Sequence, residues 1–140
     1  MFWKSKSRYQ FSMARPVSQL IALLFLTLVS SAVYAVTEID AIRVWRAPDH
    51  TRIVLDLSDE TRYKLFSLEN PSRVVIDMQN TRLATVLSSV DMQGTPVNKL
   101  RGARQPNGTY RLVLDMQREA TPKVFTLPAN QQYGNRLVVD

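Results

Sequence analysis

A duplicated run of strand-forming residues constrains this chain more than anything else in it. The first copy reads Arg43-x-x-Arg46-x-Pro48, then Arg52-Ile53-Val54-Leu55-Asp56-Leu57, then Lys64-Leu65-Phe66-Ser67-Leu68, then Arg73-Val74-Val75-Ile76-Asp77. The second reads Arg101-x-x-Arg104-x-Pro106, then Arg111-Leu112-Val113-Leu114-Asp115-Met116, then Lys123-Val124-Phe125-Thr126-Leu127, then Arg136-Leu137-Val138-Val139-Asp140. The offset is 58 at Arg43/Arg101, 59 at Arg52/Arg111 and 63 at Arg73/Arg136. Such slips belong in loops, which drift while strands hold their place. Two copies are too few for a solenoid and suit a pseudo-twofold domain of two similar sheets.

Alternation assigns the faces. Ile53, Leu55 and Leu57 share one side of their strand, with Arg52, Val54 and Asp56 on the other; Val74, Ile76 and Met78, then Leu112, Leu114 and Met116, repeat the pattern. Opening strands are predicted at Ile42–Trp45 and Lys99–Arg101, and third strands at Tyr63–Leu68 and Lys123–Leu127. Ala47-Pro48-Asp49-His50-Thr51 and Gln105-Pro106-Asn107-Gly108-Thr109 put Pro ahead of a turn-forming Asp or Asn, a hairpin at the same place in each copy. Leu83, Val86, Leu87 and Val90 recur at helical spacing between the copies and predict one short helix there. The expected fold is all-β: a β-sandwich of two similar four-stranded sheets, their inner faces about 10 Å apart. The repeat halves run over about 38–78 and 97–140.

Residues 1–35 stand apart from this pattern. Lys4, Lys6, Arg8 and Arg15 precede an apolar stretch from Leu20 to Val29, and Val33-Tyr34-Ala35 follows. This is the layout of a secretory signal peptide with cleavage expected after Ala35. The stretch is short for a membrane span, no paired arginines precede it, and no Cys follows it to carry a lipid anchor. Export with no stable span after cleavage is the expectation. The leader holds four of the 18 basic residues, so residues 36–140 carry 14 basic against 12 acidic and a net charge near +2. That removes the case for a nucleic-acid partner, which the whole-chain pI near 10 would otherwise raise.

Residues for catalysis are scarce. There is no Cys, and the single His50 lies in a Pro-Asp-His-Thr turn that favours a solvated role. One His supplies neither a serine triad at a convincing position nor three zinc ligands, and the few glycines form no phosphate loop. The chain is expected to be non-catalytic, with no metal site and no cofactor. The outward rows are instead charged: Arg52/Asp56, Arg73/Asp77, Arg111/Asp115 and Arg136/Asp140 each place Arg and Asp on one face, four residues apart. Cross-strand ion pairing that keeps the sandwich soluble accounts for any single pair. Recurrence in both copies points to a binding surface, in which Asp orients Arg and the guanidinium forks grip an anionic polymer. Arg43, Arg46, Arg101 and Arg104 read as edge charge; Trp45, Tyr63, Tyr110 and Tyr133 read as packing residues able to stack on sugars; Phe66 and Phe125, flanked by Leu or Val, read as core.

The Arg-apolar-apolar-apolar-Asp closure of each half, preceded by Tyr63-Lys64-Leu65-Phe66-Ser67-Leu68-Glu69-Asn70-Pro71-Ser72-Arg73, resembles the AMIN domain. That family forms the N-terminal, non-catalytic module of periplasmic N-acetylmuramoyl-L-alanine amidases and also occurs in secretin-type pilus proteins. The resemblance covers about Val36 to Asp140. It implies peptidoglycan binding and targeting to the division septum, with the binding role carried by Arg52, Asp56, Arg73, Asp77, Arg111, Asp115, Arg136 and Asp140. It also implies that zinc belongs to a catalytic domain absent from this chain. Divisome proteins are possible partners, and the competing reading is a protein-interaction module that docks on a divisome or secretin/pilus partner.

Overall fold

The computed structural model describes Met1 and residues 35–140; the expected signal peptide lies otherwise outside the described residues. Residues 35–140 form one compact unit. Nine strands follow in order: β1 (Thr37–Arg46), β2 (Thr51–Leu57), β3 (Tyr63–Leu68), β4 (Arg73–Met78), β5 (Thr81–Leu83), β6 (Val97–Arg104), β7 (Tyr110–Met116), β8 (Val124–Leu127) and β9 (Asn135–Val139). A 3₁₀ turn at Leu87–Ser89 occupies the place of the expected short helix, while Leu83 belongs to β5.

The strands form two sheets, ordered β5-β1-β2-β9-β8 and β3-β4-β7-β6. The all-β two-sheet expectation holds, with one addition: β5 joins β1 in parallel through Thr37–Ile39 and makes that sheet five-stranded. Buried Thr81 ties this strand in through its hydroxyl, which meets Thr61 Oγ1 at 3.0 Å.

The repeat boundary is not the sheet boundary. Each sheet takes the opening hairpin of one copy and the closing hairpin of the other: β1-β2 joins β9-β8, and β6-β7 joins β4-β3. The junctions are antiparallel, β2 with β9 over Ile53–Leu57 and β4 with β7 over Arg73–Met78. Exchanging the copies converts one four-strand set into the other, so the pseudo-twofold relation survives in an interleaved form.

The core lies between the sheets and contains the residues that alternation turns inward. Ile53, Leu55, Leu57, Val74, Ile76, Met78, Leu112, Leu114, Leu137 and Val139 are buried together with Ile39, Val97, Leu100 and Tyr110. Register irregularities at Ile39/Ala41 and Val97/Lys99 re-phase β1 and β6 at equivalent places. Beyond the irregularity in β1, Ile42 and Val44 pack inward while Arg43 and Trp45 take the outer face. In β6, Gly102 leaves room for a close approach that no sequence pattern announces. A Cβ there would lie 2.0 Å from the hydroxyl oxygen of buried Tyr110.

Phe66 and Phe125 depart from the sequence expectation. They are half-buried on the outer faces and are not part of the core. The strand period decides this: Tyr63 and Leu65 in β3, and Val124 in β8, face the core, which turns the adjacent Phe outward.

Two charged outer faces

Strand register sets the residues of each outer face in rows. On the β1-β2-β9-β8 face the rows are Ala41, Asp56, Arg136, Leu127; then Arg43, Val54, Val138, Phe125; then Trp45, Arg52 and, continuing the register, Asp140 and Lys123. On the β6-β7-β4-β3 face they are Lys99, Asp115, Arg73, Leu68; then Arg101, Val113, Val75, Phe66; then Ala103, Arg111, Asp77, Lys64. The middle row is apolar apart from its arginine. Val138 and Val75 are 1% and 2% exposed although they point away from the core.

Arginine forks close over this strip. Arg52 Nε and Nη2 donate to the two carboxylate oxygens of Asp140 at 2.7 and 2.6 Å, and Arg111 does the same to Asp77 at 2.7 Å each. Arg43 forks onto Asp56 at 2.8 and 2.5 Å, and Arg101 onto Asp115 at 2.6 Å each. The first two are directly opposed across neighbouring strands, and the second two run diagonally. Each fork therefore joins an Arg to an Asp on an adjacent strand, where alternation along one strand had grouped Arg52 with Asp56 and Arg111 with Asp115. Arg52 also lies over the Phe125 ring at 5.9 Å and Arg111 over Phe66 at 5.7 Å. These contacts give the two outward phenylalanines a role in seating the forks.

The electrostatics follow the hydrogen bonds. The Arg111 fork holds the Asp77 carboxyl below the usual carboxylate range, with burial opposing it. Arg101 acts likewise on Asp115, and Arg52 on Asp140. A forked guanidinium spends two of its five N–H donors, so its remaining edge stays available to a ligand carboxylate.

Arg73 and Arg136 occupy equivalent positions and take no carboxylate partner among the described residues. Arg73 Nε donates to the Pro71 carbonyl at 3.2 Å. Arg136 Nε is buried without an acceptor, and its guanidinium lies 4.8 Å from the centre of the Tyr133 ring. With Lys64, Lys99 and Lys123 these form the uncompensated positive charge of the two faces. The three lysines were missed in the sequence, although alternation with Phe66 and the repeat alignment would have placed Lys64 and Lys123.

The remaining candidates separate clearly. Arg46 is tied to the inter-copy segment through the Asp91 carboxylate at 3.0 Å and the Asp91 carbonyl at 2.8 Å. Tyr110 is buried, and Tyr63 donates its hydroxyl to the Val124 carbonyl at 3.1 Å. Trp45 and Tyr133 are 69% and 46% exposed. His50 meets Asp49 at 2.8 Å on the rim of an open cleft of ≈ 650 Å³ at one end of the sandwich. No serine lines that cleft. Among the described residues no group of three or more His, Cys, Asp or Glu side chains could hold a metal ion, so the donor set does not fit a zinc centre. No helix among them is long and apolar enough to cross a membrane.

The sandwich spreads its forked and unpaired charges over two outer faces. The chain belongs to the AMIN domain family, whose model matches residues 41–140. It is 36% identical over 104 residues to the N-acetylmuramoyl-L-alanine amidase AmiC of Neisseria meningitidis serogroup B, a match covering 71% of this chain and 25% of that protein. It is 30% identical over 123 residues to the N-acetylmuramoyl-L-alanine amidase AmiC of Escherichia coli O6:H1, covering 85% of this chain and 30% of that protein. The chain thus spans a quarter to a third of the length of these relatives.

Proposed function

We propose that this chain is an exported, non-catalytic module that holds peptidoglycan in the periplasm and brings an amidase activity of the AmiC type to the division septum. The observation that carries this reading is the duplicated outer face, on which forked and unpaired guanidinium groups of both copies surround an apolar strip. Peptidoglycan presents stem-peptide carboxylates and flat sugar faces, which complement guanidinium edges and apolar or aromatic surface respectively. Kinship with two N-acetylmuramoyl-L-alanine amidases supports a wall polymer as the ligand. Any zinc would be held outside the described residues.

Co-sedimentation with purified sacculi tests the reading. The protein is expected to pellet with sacculi, less so at high salt, and to stay in the supernatant when Arg52, Arg73, Arg111 and Arg136 are changed to Ala. Unaltered pelleting of the folded quadruple variant would remove these arginines from the function. A second reading, docking on a divisome or secretin/pilus partner by strand addition, is favoured by β1 beyond Ile39, whose edge β5 leaves uncovered. Septal placement of a fluorescent fusion that survives loss of sacculus binding would select it.

A further inference from the structure

The repeat makes the two outer faces equivalent in outline; the one charged departure, Lys99 in place of Ala41, falls on the β6-β7-β4-β3 face, and the exposed aromatic departures fall on the other. Trp45 and Ala103 occupy matching positions, opposite Arg52 and Arg111. The large exposed indole therefore belongs only to the β1-β2-β9-β8 face. Tyr133 belongs to the longer loop before β9, in a stretch with no counterpart in the shorter loop before β4. Its ring lies under two guanidinium groups of the same face, Arg136 at 4.8 Å and Arg43 at 5.8 Å. Arg136 itself differs from its twin: Arg73 Nε has a carbonyl acceptor, whereas Arg136 Nε is buried with none. Arg43 and Trp45 are two residues apart on β1 and share the face, a spacing of about 6.7 Å.

Resting on the peptidoglycan reading, we infer that the β1-β2-β9-β8 face is the one that reads sugar, taking a glycan segment of at least two pyranose rings with a peptide carboxylate attached. One ring lies against Trp45 and the next against Tyr133, with Arg43 between them and Arg136 receiving the carboxylate. An exposed Trp and Tyr present apolar area to water that a pyranose face covers, while their polar edges stay hydrated. Arg136, stacked on Tyr133 with its Nε buried and no acidic partner, offers its two Nη groups to a ligand carboxylate without breaking an existing pair. The opposite face has Ala103, Arg73, Lys64 and Lys99 in the corresponding region. It supplies positive charge without an exposed stacking platform.

Calorimetric or NMR titration of the purified protein with three probes tests this: a disaccharide-peptide muropeptide, di-N-acetylchitobiose, and the free stem peptide. Trp45→Ala and Tyr133→Ala are each expected to weaken muropeptide binding by about tenfold, the size of a lost stacking contact. Arg136→Gln should bring muropeptide affinity down to that of chitobiose and leave chitobiose unchanged. The double substitution Lys64→Gln, Lys99→Gln on the other face should leave muropeptide affinity within about twofold, well below the change from a lost stacking contact. The inference is overturned if Trp45→Ala and Tyr133→Ala are silent, or if the opposite-face lysine double loses as much, in a protein that still pellets with sacculi. Failure of the wild-type protein to pellet would instead take down the peptidoglycan reading beneath it. Both aromatic residues are exposed, and an unchanged circular dichroism spectrum confirms that each variant is folded.

Discussion

Replacing Gly102 with Ala turns one close approach in the core into a measurable quantity. The new Cβ would stand 2.0 Å from the Tyr110 hydroxyl oxygen, 2.7 Å from Cζ and 3.0 Å from Cε1. Ordinary contact begins near 3.4 Å, so the ring must retreat by about 1.4 Å into close-packed surroundings. Tyr110 is only 5% exposed and belongs to the core, so the displacement spreads to its neighbours. Overpacking of this kind costs about 1–3 kcal/mol, against which Ala returns roughly 0.5–1 kcal/mol of backbone entropy. A net loss of about 1–2 kcal/mol is expected, or roughly 5–10 °C in Tm for a folded unit of this size. Urea denaturation followed by circular dichroism reads it out. Tyr110→Phe deletes the nearest atom and leaves Cζ in place, so the Gly102→Ala penalty should shrink but persist in that background. Gly134→Ala is the control: its Cβ meets the Leu57 carbonyl at 3.4 Å, ordinary contact, and the change should cost under about 0.5 kcal/mol. Wild-type stability in Gly102→Ala, or a penalty indifferent to Tyr110→Phe, would refute the packing argument.

Val75→Ala and Val138→Ala should each cost about 1–3 kcal/mol despite pointing outward, since both are buried under the outer-face strip; a cost like that of an exposed site in urea titrations would contradict this. Asp77, Asp115 and Asp140 have carboxyls held below their ordinary range by Arg111, Arg101 and Arg52. Their stabilisation is therefore complete above the unfolded carboxylate value of about 3.9 and is lost as pH falls through the lowered folded values. The urea midpoint should stay level in this respect from neutral pH down to about 5 and drop below 4, with a shallower drop in Asp140→Asn; an equal drop in that variant would exclude the pair as its source. Because each sheet draws on both copies, residues 36–80 or 91–140 alone should form no folded monomer, while mixing them should restore a dispersed NMR spectrum; a folded monomeric half would contradict the interleaved topology.

Local chemistry alone determined much of this protein. The period-2 runs with their β-branched residues announce the strands and their buried faces, and the Pro-Asp and Pro-Asn turns announce the hairpins, because both are written within a few residues of chain. The same short-range signals place the eight charged residues on outer faces. Tertiary structure alone decided which strands meet. Either pairing scheme buries the same inward side chains, and the choice of β2 with β9 and β4 with β7 depends on contacts far apart in sequence. Fork partners follow from that choice, so Arg52 meets Asp140 and not the Asp56 four residues away. The inequality of the faces is partly tertiary: the repeat alignment already sets Trp45 against Ala103, but only the fold shows Tyr133 beneath both Arg136 and Arg43.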